Sequence, residues 1–183
     1  MNEGTELVAE YWSIDRKGQR PANWLDHPTA RSLVNRRVTG DPDVVAAGWF
    51  KQKFFPEPVD YALSLGCGVG GFERVMIAFG LAKEVHAIDI SPGAIERARA
   101  AAAADAIGDK IKYEIPDLNE IMLPSGTYDA IYGVSSLHHV FQLEHMFRQC
   151  RGALKPGALL FLDEYIRPSR LHARLQHHRT YPW

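Results

Sequence analysis

The sequence predicts a doubly wound α/β domain with a mostly parallel sheet, and three observations lead to this prediction. From Tyr61 onward, short apolar runs alternate with longer segments of helical pattern, which is typical of βαβ units. A glycine-rich loop follows the first apolar run and opens a helix. An acidic residue, Asp89, ends the second apolar run.

The N-terminal residues 1–59 have helical rather than strand patterning, so we expect a helical cap there. One helix opens at Asp26 or Pro28 and stops at Gly40, and another begins at Asp41-Pro42 and ends before Pro56. Three of the four tryptophans lie in this region, at Trp12, Trp24 and Trp49. We expect the last two of them to pack in the core.

Residues 60–166 contain the predicted α/β domain. Its five strands span Tyr61–Leu65, Glu84–Asp89, Ile111–Ile115, Tyr128–Val134 and Ala158–Tyr165. Its helices span Gly71–Phe79, Pro92–Ile107 and Leu143–Leu154, with Ser91-Pro92 and Gly108 as start and stop signals. Segment 116–127 is too rich in Pro, Asp, Asn and Gly for a helix to be predicted.

The last segment, residues 167–183, differs in composition from the rest of the chain. It is rich in Arg and His and contains no Asp, Glu or Gly, and it has neither helix nor strand periodicity. We expect a basic tail that is either non-native, through truncation or a shifted reading frame, or native and docked by charge.

Composition and charge limit the classes of function. The formal net charge of −1 gives no basic field for nucleic acid or for a membrane surface. No apolar run approaches the roughly 20 residues needed to span a bilayer. The two cysteines, Cys67 and Cys150, are too few for a disulfide framework. A cytoplasmic protein is therefore predicted.

The glycine loop fits two nucleotide-binding templates. Gly66, Gly68 and Gly71 match the dinucleotide pattern G-x-G-x-x-G, whereas Gly66, Gly68 and Gly70 match G-x-G-x-G. In either case Asp89 stands where an acidic side chain would accept hydrogen bonds from ribose hydroxyls. Spacing alone does not decide between the two templates.

Five segments of the chain resemble, in order and spacing, the successive motifs of class I S-adenosylmethionine-dependent methyltransferases. They are Ala62–Glu73 (ALSLGCGVGGFE), His86–Ser91 (HAIDIS), Pro116–Asn119 (PDLN), Tyr128–Val140 (YDAIYGVSSLHHV) and Leu154–Leu162 (LKPGALLFL). The resemblance covers about residues 60–165 and is specific to the superfamily, not to a substrate. Members normally have two further strands, which are expected to be missing here.

The resemblance implies a set of residues that bind S-adenosylmethionine. They are Ser64, Gly66, Gly68, Gly70, Asp89, Ile90, Asp117, Leu118, Val134 and Ser135. The three glycines would border the methionine part and Asp89 would bind both ribose hydroxyls. Ile90 would pack on the adenine, while Asp117 and the Leu118 amide would bind its amino group and a ring nitrogen. The Val134–Ser135 backbone would lie beneath the amino acid end.

At position 64 the chain departs from the pattern of the superfamily. Members usually have an acidic residue where this chain has Ser64, and that residue helps to hold the ammonium group of the cofactor. Either Ser64 does so through water, or another carboxylate such as Glu73 substitutes. Near the N-terminus, Tyr11 is a candidate cofactor contact, as part of an aromatic lid that also includes Trp12.

Paired histidines follow the fourth predicted strand. A neutral imidazole of His138 or His139 could deprotonate an acceptor hydroxyl, although paired histidines are frequent in this superfamily whatever the chemistry. A metal site is not predicted, because no Cys or carboxylate completes a ligand set with them. Strand alternation places only one of Asp163 and Glu164 on each face, so a site of paired carboxylates is not predicted, and the two remain a candidate substrate contact.

These features predict S-adenosylmethionine-dependent methyl transfer to an O or N nucleophile of a small-molecule acceptor. The alternatives are a non-catalytic module that binds S-adenosylmethionine and, more distantly, an NAD(P)-dependent oxidoreductase. No nucleic acid or membrane partner is predicted, and a homodimer is left open.

Overall fold

The computed structural model describes residues 3–14 and 27–164. The helices are α1 (Glu3–Ser13), α2 (Pro28–Thr39), α3 (Ala46–Phe54), α4 (Gly71–Ala78), α5 (Pro92–Ala104) and α6 (Leu143–Ala153). The strands are β1 (Val59–Leu65), β2 (Ala82–Ile88), β3 (Ile111–Glu114), β4 (Tyr128–Val134) and β5 (Leu154–Asp163). Short 3₁₀ helices span Gly108–Lys110 and Leu137–His139.

The five strands form one sheet in the order β3-β2-β1-β4-β5, and all neighbours in it are parallel. This confirms the predicted doubly wound α/β fold. The chain moves from β1 to β2 and β3 on one side, then returns to β4 and β5 on the other. The strand order therefore reverses at β1, and ligands of such sheets bind at the carboxyl ends of the strands beside this reversal.

Alternation along the central strand divides the core into two layers. Ala62 of β1 packs with Met76 of α4 and Ile95 of α5, whereas Leu63 and Leu65 pack with the layer that includes α6. Because successive side chains point to opposite faces, Ser64 shares the face of Ala62. A buried polar side chain of β1 is thus directed towards α4.

The structure shows α2 beginning at Pro28, one of its two predicted starts, and corrects the start of α3. Pro28 opens α2, and Gly40, at φ +88°, ends it. The predicted start of the next helix at Asp41-Pro42 is wrong, because α3 begins at Ala46. The Asp41 carboxylate accepts the N–H of Asp43, and this side-chain hydrogen bond holds the segment in a turn.

The fifth strand also begins earlier than predicted, at Leu154 rather than Ala158. Leu154 already pairs with Tyr128, and the next registered pair is Ala130 with Leu159. Lys155, Pro156 and Gly157, which precede the predicted start of the strand, therefore form an irregularity within the β4–β5 ladder. Each of the other predicted strands and helices of the domain matches an observed element, with small shifts at the ends.

Some predictions concern parts of the chain outside the described residues. These are the alternative helix start at Asp26, the packing of Trp24 and the basic tail 167–183. Trp49, by contrast, is described and packs against the core beside Phe54. Among the helices in the described ranges, none has the length and apolar character to cross a bilayer.

Candidate functional site

A cleft lies at the carboxyl ends of the strands, where the strand order reverses. The loops after β1, β2, β3 and β4 line it together with α1. Its lining residues are Gly66, Gly68, Asp89, Ile90, Asp117, Leu118, Asn119, Ser135, Ser136, His139 and Val140, with Thr5, Val8 and Trp12 from α1. Seven of the residues implied by the sequence resemblance are in this set, and they come from four separate loops.

The glycine loop after β1 approaches the cleft because two positions lack a side chain. Gly66 has φ +68°, and a Cβ there would collide with the Cβ of Ser136, so any other residue would displace the loop after β4. Gly68 has φ +54°, and a Cβ there would meet nothing within 4 Å, so it borders open space. The positive φ angles are ones that glycine adopts at little cost.

Gly70, which the resemblance places beside the methionine part of the cofactor, does not line the cleft. It also has a positive φ, +71°, but a Cβ would meet the hydroxyl of Tyr113 at 2.8 Å and the Cβ of Ala98 at 2.9 Å. The position faces β3 and α5, behind the loop. Glycine is therefore required here for packing between the loop and the layer beneath it.

Asp89 connects the first loop to the second. Its Oδ2 accepts the N–H of Gly68 and its Oδ1 accepts the N–H of Ser91, both at 2.8 Å. Burial raises the pKa of Asp89, and these two hydrogen bonds oppose that rise. Each carboxylate oxygen has two lone pairs, so both can still accept a hydrogen bond from a ligand.

The loop after β3 presents an acceptor that the described part of the chain leaves unused. Oδ1 of Asp117 accepts hydrogen bonds from the backbone and side-chain N–H groups of Asn119 (2.9 and 2.7 Å). Oδ2 of Asp117 is buried, and no described atom hydrogen-bonds to it. Beside it, Ile90 and Leu118 give the cleft an apolar surface. A planar base with an amino group fits this combination.

Helix α1 forms the wall opposite the glycine loop. Thr5, Val8 and Trp12 share one helical face and line the cleft, as their spacing of three and four residues allows. Tyr11 lies on another face, with 52% of its surface exposed, and does not line the cleft. Of the two predicted lid residues, Trp12 therefore lines the cleft and Tyr11 does not. Arg97 holds the end of α1 by donating to the carbonyls of Trp12 and Ser13.

The two paired histidines have different surroundings. His139 lines the cleft, and its ring meets Trp12 edge-on at 5.9 Å between centroids. Burial and the neighbouring His138 lower the pKa of His139, so its neutral form is favoured. His138 lies outside the cleft lining, with its Nδ1 3.0 Å from Oε2 of Glu164.

Glu164 organises the turn after β4. Its Oε1 accepts the N–H groups of Ser136 (2.6 Å) and Leu137 (2.7 Å), while its Oε2 faces His138. Burial alone would raise the pKa of Glu164, but these hydrogen bonds outweigh it and the pKa lies below its ordinary value. In the sequence, the acidic pair at the end of β5 was the one signal that pointed towards this contact.

Two more residues implied by the resemblance occupy different places in the turn. Ser135 lines the cleft with φ +51°, a conformation that is uncommon for a residue other than glycine. Val134 packs against the core and is not part of the cleft lining. Its backbone belongs to the end of β4, so it supports the turn rather than facing the cleft.

Ser64, at the position where an acidic residue was expected, is bonded to a buried acid instead. Its hydroxyl donates to Oε1 of Glu73 at 2.5 Å. Glu73 lies in the first turn of α4 and is 1% exposed, and its Oε2 has no hydrogen-bond partner among the described residues. Burial raises the pKa of Glu73 to about 7, against the opposing effect of the Ser64 hydrogen bond.

This raised pKa predicts a pH-dependent stability of the protein without ligand. Glu73 binds a proton more tightly in the folded protein than in the unfolded chain. Its contribution to the free energy of unfolding is therefore fully present below pH 4.5 and is lost as the pH rises through about 7. Between these values the wild type should lose roughly 3 kcal/mol of unfolding free energy that Glu73→Gln keeps. Urea denaturation at several pH values measures the difference.

The matched control is Glu96→Gln, which removes the same charge from an exposed position on α5. That variant should follow the wild type at every pH. If Glu73→Gln and the wild type lose stability in parallel from pH 4.5 to 8, Glu73 does not titrate in this range.

Comparison with known proteins agrees with this geometry. The family model described as a methyltransferase domain matches residues 63–162. A sterol 24-C-methyltransferase of Gibberella zeae is 31% identical over 104 residues, which are 57% of this chain and 27% of that protein. The 27-O-demethylrifamycin SV methyltransferase of Amycolatopsis mediterranei is 31% identical over 107 residues, 58% of this chain and 39% of that protein. The chain thus spans well under half the length of these curated relatives.

A solved structure, the S-adenosylmethionine-dependent methyltransferase from Mesorhizobium loti, is 34% identical and has a TM-score of 0.54. The likeness covers 63% of this chain and 53% of that one. The matches favour the methyltransferase template of the glycine loop over the dinucleotide template. The chain belongs to the class I S-adenosylmethionine-dependent methyltransferase superfamily, whose cofactor is S-adenosylmethionine.

Proposed function

We propose that this protein binds S-adenosylmethionine in the cleft and transfers its methyl group to a small-molecule acceptor. The observation on which the proposal rests is the pair of carboxylates, Asp89 and Asp117, at the ends of the neighbouring strands β2 and β3. They lie in one cleft with the apolar side chains of Ile90 and Leu118. Such a set suits an adenosine, which has ribose hydroxyls, an exocyclic amino group and an apolar ring face.

In the proposed site the lining residues implied by the resemblance, together with Trp12, divide the cofactor contacts among them. Asp89 accepts hydrogen bonds from the two ribose hydroxyls, and Oδ2 of Asp117 accepts a hydrogen bond from the adenine amino group. The side chain of Ile90 and the amide of Leu118 contact the ring. Gly68 and the backbone at Gly66 and Ser135 border the methionine part, while Trp12 covers it from α1.

Methyl transfer from S-adenosylmethionine depends mainly on how the protein positions the methyl donor and the acceptor. When bound, S-adenosylmethionine supplies a sulfonium methyl group that is already activated for transfer. The residues of the cleft then need to hold the acceptor in line with that methyl group and exclude water, and such positioning can supply a large part of the acceleration. A base is needed only where the accepting atom must lose a proton.

His138 is the proposed base, and Glu164 is its positioning residue. His138 is not part of the cofactor cleft lining, but its ring centroid lies 4.1 Å from that of His139, which lines the cleft, so it lies at the edge where an acceptor would bind. A carboxylate at 3.0 Å from Nδ1 places a proton on that nitrogen, so in the neutral ring Nε2 is the acceptor. A base held by an adjacent carboxylate is the usual arrangement for removing a proton from a weak nucleophile. His139, neutral and packed on Trp12, is proposed to shape the cleft.

The proposed acceptor is a small molecule with a hydroxyl or amine as its accepting group. The His138–Glu164 pair supports this class, because a hydroxyl or a primary or secondary amine loses a proton from its accepting atom on methylation, and His138 would take up that proton. Of the two relatives described above, one is named for methylation at a sterol carbon and the other for an oxygen of a rifamycin. Carbon is therefore the competing accepting atom.

The function is tested with the purified protein. We expect mass spectrometry of the released small molecules to find S-adenosylmethionine or S-adenosylhomocysteine, and methyl-labelled S-adenosylmethionine to label an acceptor in a panel of sterols, phenols and amines. Binding of S-adenosylhomocysteine without transfer to any of them would favour the non-catalytic alternative. Recovery of a nicotinamide dinucleotide instead would contradict the proposal.

Asp89→Ala should weaken the binding of S-adenosylhomocysteine by at least tenfold. The substitution removes a charged acceptor from two ribose hydroxyls, and a hydrogen bond to a charged group contributes about 1.5–3 kcal/mol. It also removes the acceptor of the Gly68 and Ser91 amides, so some loss of stability is expected as well. Calorimetric titration gives the affinity, and scanning calorimetry gives the melting temperature.

Asp109→Ala, which removes an exposed carboxylate from the turn before β3, is the matched control and should change neither quantity. Unchanged affinity in Asp89→Ala, together with a lowered melting temperature, would mean that Asp89 only holds the loops together.

His138→Gln should lower kcat by about 10²–10⁴-fold for a hydroxyl or amine acceptor, the usual contribution of a general base. The affinity for S-adenosylhomocysteine should stay unchanged, because His138 lies outside the cleft lining. The control is His145→Gln, since His145 instead contacts the carbonyl of Ile121 from α6. Equal kcat values for His138→Gln and the wild type would exclude His138 as the base, and the positioning of donor and acceptor would then account for the acceleration.

A further inference from the structure

Glu73 is a buried carboxylate that forms no ion pair with a cation of the described part of the chain. Ser64 occupies Oε1, and Oε2 is left without a partner. The adjacent cation, Arg74, is engaged elsewhere: its Nε lies 3.0 Å from Asp105, and its Nη1 donates to the carbonyls of Val69 and Gly70. An isolated charge in such a place is costly unless a partner compensates it.

The position of this carboxylate links it to the cleft. Ser64 comes two residues before Gly66, whose backbone lines the cleft, and Glu73 follows the glycine loop within the first turn of α4. Glu73 also interacts electrostatically with Asp89, another lining residue. The pair Ser64–Glu73 therefore lies directly behind the loop that would border the methionine part of the cofactor.

We propose that Glu73 is the counter-ion of the cofactor's ammonium group, and that it gives up a proton to solvent when the cofactor binds. The proposal rests on the proposed function, since it concerns the same cleft. The O–H bond of the neutral acid breaks, the proton goes to the buffer, and the carboxylate keeps the hydroxyl of Ser64 as a donor. The acidic residue expected at position 64 is thus replaced by one from the next helix.

The groups around Glu73 decide its charge in the empty protein. Asp89, after β2, is negative and favours the neutral form of Glu73, whereas Arg74 on its own helix favours the charged form. Cys67 in the loop and Tyr113 on β3 also face it, and burial raises the pKa of both above their ordinary values, so they stay neutral. Because Arg74 is already paired with Asp105, a bound ammonium group adds the counter-charge that Glu73 itself lacks.

The test is titration calorimetry of the wild type with S-adenosylhomocysteine, which has the same amino acid end as the cofactor. Titrations at pH 6, 7 and 8 in buffers of different ionisation enthalpy give the number of protons released. We expect the number of protons released to approach one at pH 6 and to fall at pH 8. At pH values below the pKa of Glu73, the affinity should increase by up to tenfold for each unit by which the pH rises.

Three comparisons make the result specific. Glu73→Gln should release no proton and lose this pH dependence, while Glu96→Gln should behave as the wild type. The third is a different probe, 5′-methylthioadenosine, which lacks the amino acid end and should release no proton from the wild type. Equal proton release by Glu73→Gln and the wild type would overturn the proposal. If S-adenosylhomocysteine does not bind the wild type at all, the proposed function itself fails and this proposal with it.

A second variant covers the case in which Glu73→Gln does not fold. Ser64→Ala removes the hydrogen bond that stabilises the charged form of Glu73, so the pH range of proton release should move upward. An unchanged range in Ser64→Ala would also overturn the proposal, because a purely structural Ser64–Glu73 pair has no reason to set the pH dependence of binding.

Discussion

The hydrogen bonds of the Asp89 carboxylate hold together the loops on which the candidate site depends. Asp89 follows β2, and its two oxygens accept N–H groups from Gly68, after β1, and from Ser91, which caps α5. One side chain can reach both because parallel neighbouring strands end at the same edge of the sheet. A ligand bound to Asp89 is therefore fixed relative to the glycine loop and to α5 as well.

The acidic residues around the cleft differ in how many of their carboxylate oxygens have a hydrogen-bond donor, and this difference indicates which ligand the site suits. The oxygens of Asp89 and Glu164 all face hydrogen-bond donors. Asp117 and Glu73 each bury one oxygen that no described donor reaches. Because such oxygens cost free energy in an empty protein, the site is suited to a ligand that brings donors and positive charge.

The N-terminal helix completes the cleft, although it is distant in sequence from every loop that it faces. The guanidinium of Arg97 binds the carbonyls of Trp12 and Ser13, which have no partners within α1 because they end the helix. A Cβ at Gly93 would lie 2.5 Å from the carbonyl oxygen of Ser13, so the close contact also requires a glycine in α5. These contacts fix α1 against the α/β domain, so that α1 can form the wall of the cleft opposite the glycine loop.

Local patterns in the sequence are enough to predict the fold class, the glycine loop and the acidic end of β2. Hydrophobic period, glycine spacing and chain order are readable without the folded chain. The folded chain was needed to show that Ser64 meets Glu73, that Trp12 rather than Tyr11 lines the cleft, and that Glu164 holds His138. The first turn of α4, the rotation of α1 and the register of β5 against β4 produce these contacts. No motif encodes those geometric quantities, because each depends on how separate elements pack.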